Sequence, residues 1–367
     1  MMRGRNAQTY GMLVFIPLLG PATFDWFPDW LEGAGTNVWW LLMAWGILAV
    51  VLGWLTAAVM AINRDHGPPQ LHTASMLETM LGRWGGRLAN FLWAFVLCLY
   101  GARVLQSGIE LIHYDVLPYT PTSVLIVLGL LIPLQLLVGG FDALLRYCAV
   151  LFWPALLLGL AMSVLCFRRA DFANLFPLAN PMQAGQWLGA LPHVLQLLPG
   201  WSLVVLYTPL FQAWLSPGTA FRAYLFAGGG VLLLMALDFC MVLANFGAFE
   251  GAALQWPVIE AMRMQLGIHL DVINLIPVLI AVSGLLNLCV FGAYMLIRPY
   301  IRMPSVARGC LVLGTCGSLA WIADVYVGTS KLYEASSIGF GCVLVVALSV
   351  WFTVRHERSG AGSLVRR

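Results

Sequence analysis

Lysine is almost missing from this chain. Lys331 is the only one in 367 residues, and all charged residues together make up 10% of the sequence. Soluble globular proteins carry about 25% charged residues. So little charge excludes a cytosolic enzyme, a nucleic-acid binder and a disordered regulator. Paired Cys-x-x-Cys spacings are missing as well. The eight cysteines sit in or beside apolar runs, where a thiol behaves as a small buried hydrophobe. Neither a disulfide framework nor a metal site is expected from them. There is no P-loop, no His-Glu-x-x-His and no pair of catalytic carboxylates, so no enzyme activity and no cofactor are expected.

What the chain has in quantity is apolar length. Hydrophobic residues make up 61% of it, and the mean hydropathy is +0.86. A membrane-spanning helix needs about 20 apolar residues, so the chain has room for about ten spans and no separate soluble domain. Hydrophobic periodicity places them at 9–31, 38–62, 87–113, 121–140, 145–167, 189–213, 223–245, 271–300, 305–323 and 336–354. Two polar intervals keep a helical period: Leu71–Leu81, expected as an interfacial helix, and Gly251–Leu266. With no low-complexity linker, residues 1–367 read as a single transmembrane domain of two repeats, 9–167 and 189–354. The N-terminal apolar stretch has no small-residue cleavage site, so it reads as a retained span and not a signal peptide.

The basic residues assign an orientation. An even number of spans puts both termini on one side. With the N-terminus inside, fourteen arginines fall on inner segments, against Arg168, Arg169, Arg263 and Lys331 outside. By the positive-inside rule both termini are expected in the cytoplasm. Many tryptophans, among them Trp26, Trp30, Trp39, Trp40, Trp84, Trp187 and Trp351, fall near span ends and read as interfacial belts.

Two spans carry helix-breaking pairs near their middles. The first reads FIPLLGPAT over Phe15–Thr23, with Gly20-Pro21 at its centre. The sixth reads LLPGWS over Leu197–Ser202, with Pro199-Gly200. Proline has no amide hydrogen and its ring clashes with the preceding turn, so unwinding is expected at both. Breaks at matching places in two halves are the mark of an inverted-repeat transporter fold with its ligand site where the helices unwind. The fold class expected is all-α and polytopic, a LeuT-like 5+5 inverted repeat with helices 1 and 6 broken.

Charges inside the spans are the remaining signal. Arg103 lies midway along the third span, and Tyr100, Arg103, Ser107 and Glu110 share one helical face. An ionisable group at that depth is a functional-site candidate. Asp238 in the seventh span is the other buried charge, and a pair between Arg103 and Asp238 is one arrangement open to it. His193, two turns before the sixth-span break, reads as a packing or interfacial histidine. Ser283 and Asn287 in the eighth span have the oxygen atoms for a cation, although such residues in membrane helices more often bond backbone. No coupling-ion site is evident.

Several segments, in order, resemble one family. They are FIPLLGPAT in the first span, ETMLGRWGGRLANFLWAFVLCLY leading into the third, YDVLPYTP after it, NLFPL before the sixth, and LQWPVIEAMRMQLG between the seventh and eighth. Together the chain resembles the GerAB-type B subunits of spore germinant receptors, in the amino acid–polyamine–organocation superfamily. It departs from them at Gly200-Trp201-Ser202, where the family often has a charged or Gly-Glu pair. The resemblance implies a nutrient germinant-sensing subunit in the spore inner membrane, partnered by an A-type membrane subunit and a C-type lipoprotein. It implies ligand contacts from Gly20, Pro21, Ala22 and Thr23, from Leu198, Pro199, Gly200, Trp201 and Ser202, and from Tyr100 and Val104 on the opposite wall. A half-helix N-terminus near Thr23 or Ser202 suits a carboxylate, and carbonyls near Leu19 and Gly20 suit an ammonium. The germinant expected is therefore a small neutral amino acid. A secondary amino-acid transporter is the alternative that shares this fold.

Overall fold

The computed structural model describes residues 6–24, 26–66, 73–168, 170–176, 194–195, 197–266 and 271–327. Among them every regular element is helical. They are α1 (Ala7–Phe24), α2 (Trp26–Ala34), α3 (Val38–His66), α4 (Thr73–Asp115), α5 (Thr122–Leu165), α6 (Leu197–Tyr207), α7 (Pro217–Ala253), α8 (Pro257–Leu266), α9 (Asp271–Ile297) and α10 (Ser305–Ile322). Helices satisfy their own backbone groups, which is what a hydrocarbon solvent demands.

Six helices are long and apolar enough to cross a membrane: Trp30–Ala61, Leu81–His113, Thr122–Leu165, Pro217–Ala253, Leu275–Ile297 and Ser305–Val325. Ala7–Leu19 and Leu197–Phe211 are shorter apolar helices. At 1.5 Å per residue, the 44 residues of α5 would run about 66 Å, twice the hydrocarbon thickness. Gly140, at φ 76°, divides α5 into the expected fourth and fifth spans. Nine of the ten expected spans are thus accounted for. The tenth, at 336–354, lies outside the described residues, as does His193.

Corresponding spans of the two halves pack in pairs: α1 with α6, α3 with α7, α4 with α9, and α5 with α10. Every pair is antiparallel. Tyr10 of α1 bonds Thr208 just beyond α6, while Pro17 meets Gly200. Gly46 and Gly53 of α3 lie against Leu232 and Tyr224 of α7. Gly101 and Gly108 of α4 lie against Cys289 and Val282 of α9. Gly309 and Gly317 of α10 lie against Leu137 and Leu130 of α5. Two halves of opposite sense, paired element by element, are what an inverted repeat produces.

Three corners carry the segments quoted above. The expected interfacial helix forms the start of α4, and Gly82, at φ 74°, turns the chain into the membrane span. Gly86 lies so close beneath that turn that a Cβ there would sit 2.5 Å from the Glu78 nitrogen and 2.7 Å from the Leu77 carbonyl carbon. Glu78 and Arg87 close the corner with an ion pair at 3.4 Å. In YDVLPYTP, residues 116–120 form the turn into α5, with His113 Nε2 2.6 Å from the Thr120 carbonyl. In LQWPVIEAMRMQLG, Pro257 opens α8, and Arg263 pairs with Glu260 at 3.0 Å, one turn apart.

One expectation about packing changes. Trp30 is fully buried and stacks on Phe239 of α7, with ring centroids 5.5 Å apart, so it belongs to the core and not to an interfacial belt. Most of the described cysteines are buried as expected, while Cys240 is half-buried and Cys310 exposed. Cys98, Cys148, Cys166, Cys289 and Cys316 are buried, and none is in a disulfide.

Candidate functional site

α1 is the central helix. It packs against α5, α6, α7 and α9, and Leu13, Val14, Phe15, Ile16 and Leu18 along it are shut off from solvent. Its own sequence weakens it. Pro17 and Pro21 have no N–H, so in a regular helix the carbonyls of Leu13 and Pro17 lose the donors four residues on. Gly200 of α6 is pressed onto that weakened stretch. A Cβ on Gly200 would overlap the Pro17 carbonyl oxygen and fall 2.9 Å from its carbon. The backbones of the first and sixth spans therefore cross with no side chain between them. At the other end of the crossing, Tyr10 and Thr208 share a hydrogen bond of 2.9 Å, and the Tyr10 and Phe211 rings meet edge to face at 5.1 Å.

The backbone at both proline-bearing stretches is helical. The backbone of Gly20, Pro21, Ala22 and Thr23 is helical, and α1 continues to Phe24 before α2 begins at Trp26. In the sixth span, α6 runs straight through Pro199-Gly200 from Leu197. All eleven residues of α6 are buried. Beyond Tyr207 the chain tightens into a 3-10 turn, Thr208–Phe211, where Pro209 ends the α-helical bonding.

The side chains of LLPGWS hold the helix in place. Ser202 Oγ donates to the Pro199 carbonyl at 2.8 Å. The Trp201 indole donates to Leu52 O at 3.0 Å and lies 2.9 Å from Thr56 Oγ1, both on α3. Trp201 thus ties the sixth span to the second. Leu198 is buried beside it. Thr56, Tyr10 and Thr208 were not singled out in the sequence. Their signal is a lone polar residue facing the core of an apolar span.

Tyr100, Arg103, Val104 and Ser107 are all buried on α4, and Glu110 is half-buried at the end of the same face. Arg103 is 9% exposed, and its carbonyl accepts from Ser107 Oγ at 3.1 Å. Asp238 is also buried, but it does not pair with Arg103. Its Oδ1 accepts from Ser163 Oγ on α5 at 2.6 Å. α7 lies along α3, α1 and α5, which places Asp238 beside α5. On α9, Ser283 gives its proton to the Ile280 carbonyl and receives one from Tyr147 at 2.9 Å, the backbone-bonding habit expected of it. Among the described residues, no three His, Cys, Asp or Glu side chains converge to hold a metal ion.

Fold and crossing together define a membrane protein built like an inverted-repeat transporter. Solved structures agree on the fold. The chain is similar to the Eremococcus coleocola manganese transporter in complex with an aromatic bis-isothiourea compound: 14% identity, TM-score 0.63, covering 94% of this chain and 78% of that one. A mutant of the same transporter gives 15% identity and a TM-score of 0.62, covering 95% and 78%. The sequence identifies the family. The profile of the spore germination proteins known as Spore_permease matches residues 11–303, and the chain belongs to that family. It is also 24% identical over 180 residues to the spore germination protein GerQB of Bacillus cereus, a match spanning 48% of this chain and 47% of that relative. The chain is a membrane permease-like germination protein.

Proposed function

We propose that this protein is the germinant-sensing subunit of a spore nutrient receptor and binds a small neutral amino acid beside the crossing of α1 and α6. The observation that carries the proposal is the backbone contact between Gly200 and Pro17. It brings Pro199-Gly200, where a helical N–H is missing, against the Pro17–Pro21 stretch, whose prolines leave the Leu13 and Pro17 carbonyls without their regular donors. Backbone amides freed where these proline-bearing stretches open suit a carboxylate, since a helix N-terminus favours negative charge. Carbonyls of the Pro17–Gly20 stretch suit an ammonium. One molecule bearing both groups a few ångströms apart is an amino acid. Gly20, Pro21, Ala22 and Thr23 at the end of α1 contribute to the site, and Tyr100 and Val104 of α4 form its far wall. An A-type membrane subunit and a C-type lipoprotein are the partners in the spore inner membrane.

The fold likeness to a manganese transporter favours a second reading, a secondary amino-acid transporter. Proteoliposomes loaded with the full chain separate the two. A sensor binds a radiolabelled neutral amino acid at saturable sites without accumulating it in the lumen. Time-dependent luminal uptake overturns the sensor reading.

A further inference from the structure

The ends of three spans meet at one membrane face, and each brings arginine. Arg83 and Arg87 open the membrane-spanning part of α4, Arg298 and Arg302 flank the turn after α9, and Arg308 lies in the first turn of α10. Contacts between the elements hold them together. The Arg87 guanidinium sits 5.8 Å from the Tyr300 ring centroid and 5.9 Å from that of Trp84. Asn90 donates to the Tyr300 hydroxyl at 2.7 Å. Arg308 donates to the Arg298 carbonyl at 2.9 Å and lies over the Tyr294 ring. Arg87 and Arg308 are thus committed to joining the three span ends.

Arg83, Arg298 and Arg302 are not committed. All three are exposed, and among the described residues no carboxylate pairs with them. Glu78 is taken by Arg87. Orientation signals require positive charge somewhere on a membrane face. They do not require arginine-bearing ends of three spans to be joined by direct contacts. Beside them, Trp84 is 82% exposed and Leu88 63% exposed. These two lie within the first two turns of a span that begins at Leu81, at the depth where headgroup gives way to acyl chain. Unpaired guanidinium groups next to an exposed indole and aliphatic surface match an anion that carries its own hydrocarbon.

We propose that this corner binds the phosphodiester headgroup of an anionic phospholipid, with Arg83, Arg298 and Arg302 on the phosphate and Trp84 and Leu88 against the acyl chains. Arginine suits phosphate because its planar fork can give two parallel hydrogen bonds. Basic pockets between membrane helices are known to take such headgroups.

The test uses the full-length chain in vesicles of phosphatidylcholine alone, and of phosphatidylcholine mixed with phosphatidylglycerol. Thermal unfolding and native mass spectrometry of retained lipid are the readouts. Phosphatidylglycerol is expected to raise the melting temperature and remain bound, with both effects fading as salt is raised. Combining Arg83→Gln, Arg298→Gln and Arg302→Gln is expected to weaken retention by on the order of 100-fold while leaving the melting temperature in pure phosphatidylcholine unchanged. Equal behaviour in the two lipids, or full retention by the triple variant, overturns the proposal. So does an equal rise when inorganic phosphate is added to pure phosphatidylcholine vesicles, which would mark a site for free phosphate.

Discussion

Gly200 and Pro17 touch backbone to backbone, the α-carbon of one against the carbonyl of the other. The contact needs both residues. Glycine removes the side chain that would hold the helices apart. Pro21 removes the N–H that would otherwise bond the Pro17 carbonyl from within α1. Gly200→Ala forces α6 off α1, and the obstructing atoms are backbone that cannot rotate away. A loss of about 3 kcal/mol or more is expected, read as a fall in melting temperature and in protein abundance. A variant as stable as the parent would show that the two helices separate at little cost.

The α4 corner makes a graded prediction. Gly82→Ala puts a Cβ on a left-handed backbone position with open space around it, a cost of about 1–2 kcal/mol. Gly86→Ala drives a Cβ into the backbone of Leu77 and Glu78 and is expected to cost more. Melting temperatures of the two variants check the order. Equal values would mean that the helix start is not packed against the span.

Arg103 and Asp238 are separate sites. Arg103→Ala is expected to impair stability or response, because it removes a buried charge from the α4 face. Asp238→Asn is expected to be milder, because the amide oxygen can still accept from Ser163. Their effects are expected to add within about 0.5 kcal/mol in a double-mutant cycle, as for sites without shared partners. A larger coupling energy would show that the two charges interact.

The arginine asymmetry predicts that both termini face the cytoplasm. Reporter fusions after Arg3 and after Arg367 check it, with cytoplasmic signal expected from both. An external signal from either contradicts the inverted-repeat topology.

The spans were legible because a hydrocarbon solvent imposes long apolar runs that no other constraint imitates. The corners were legible as boundaries, yet their mechanism was not. Nothing in ETMLGRWGGR says that Gly86 receives the backbone of Glu78, since that contact exists only after the chain folds back at Gly82. The prolines mark the weak stretches of both spans, but their local sequence does not say how far the helix yields. Proline disrupts bonding to the carbonyl four residues earlier, and α1 stays helical through Pro21 because neighbours on every side hold it. Likewise α6 is helical through Pro199-Gly200, where it packs on α1. The pairing of Asp238 with Ser163 was hidden because it joins residues 75 apart on helices whose contact no local pattern encodes.

The account rests most heavily on an amino acid bound beside the crossing of α1 and α6. Ligand-induced thermal stabilisation of the purified full chain tests it most directly, with a panel of neutral amino acids set against sugars and nucleosides, for the parent protein and for Gly20→Val. The account predicts that one or more neutral amino acids raise the parent's melting temperature in a dose-dependent way. It predicts that sugars and nucleosides do not, and that Gly20→Val folds but loses the shift. Stabilisation confined to sugars or nucleosides, or an undiminished amino-acid shift in Gly20→Val, would contradict it.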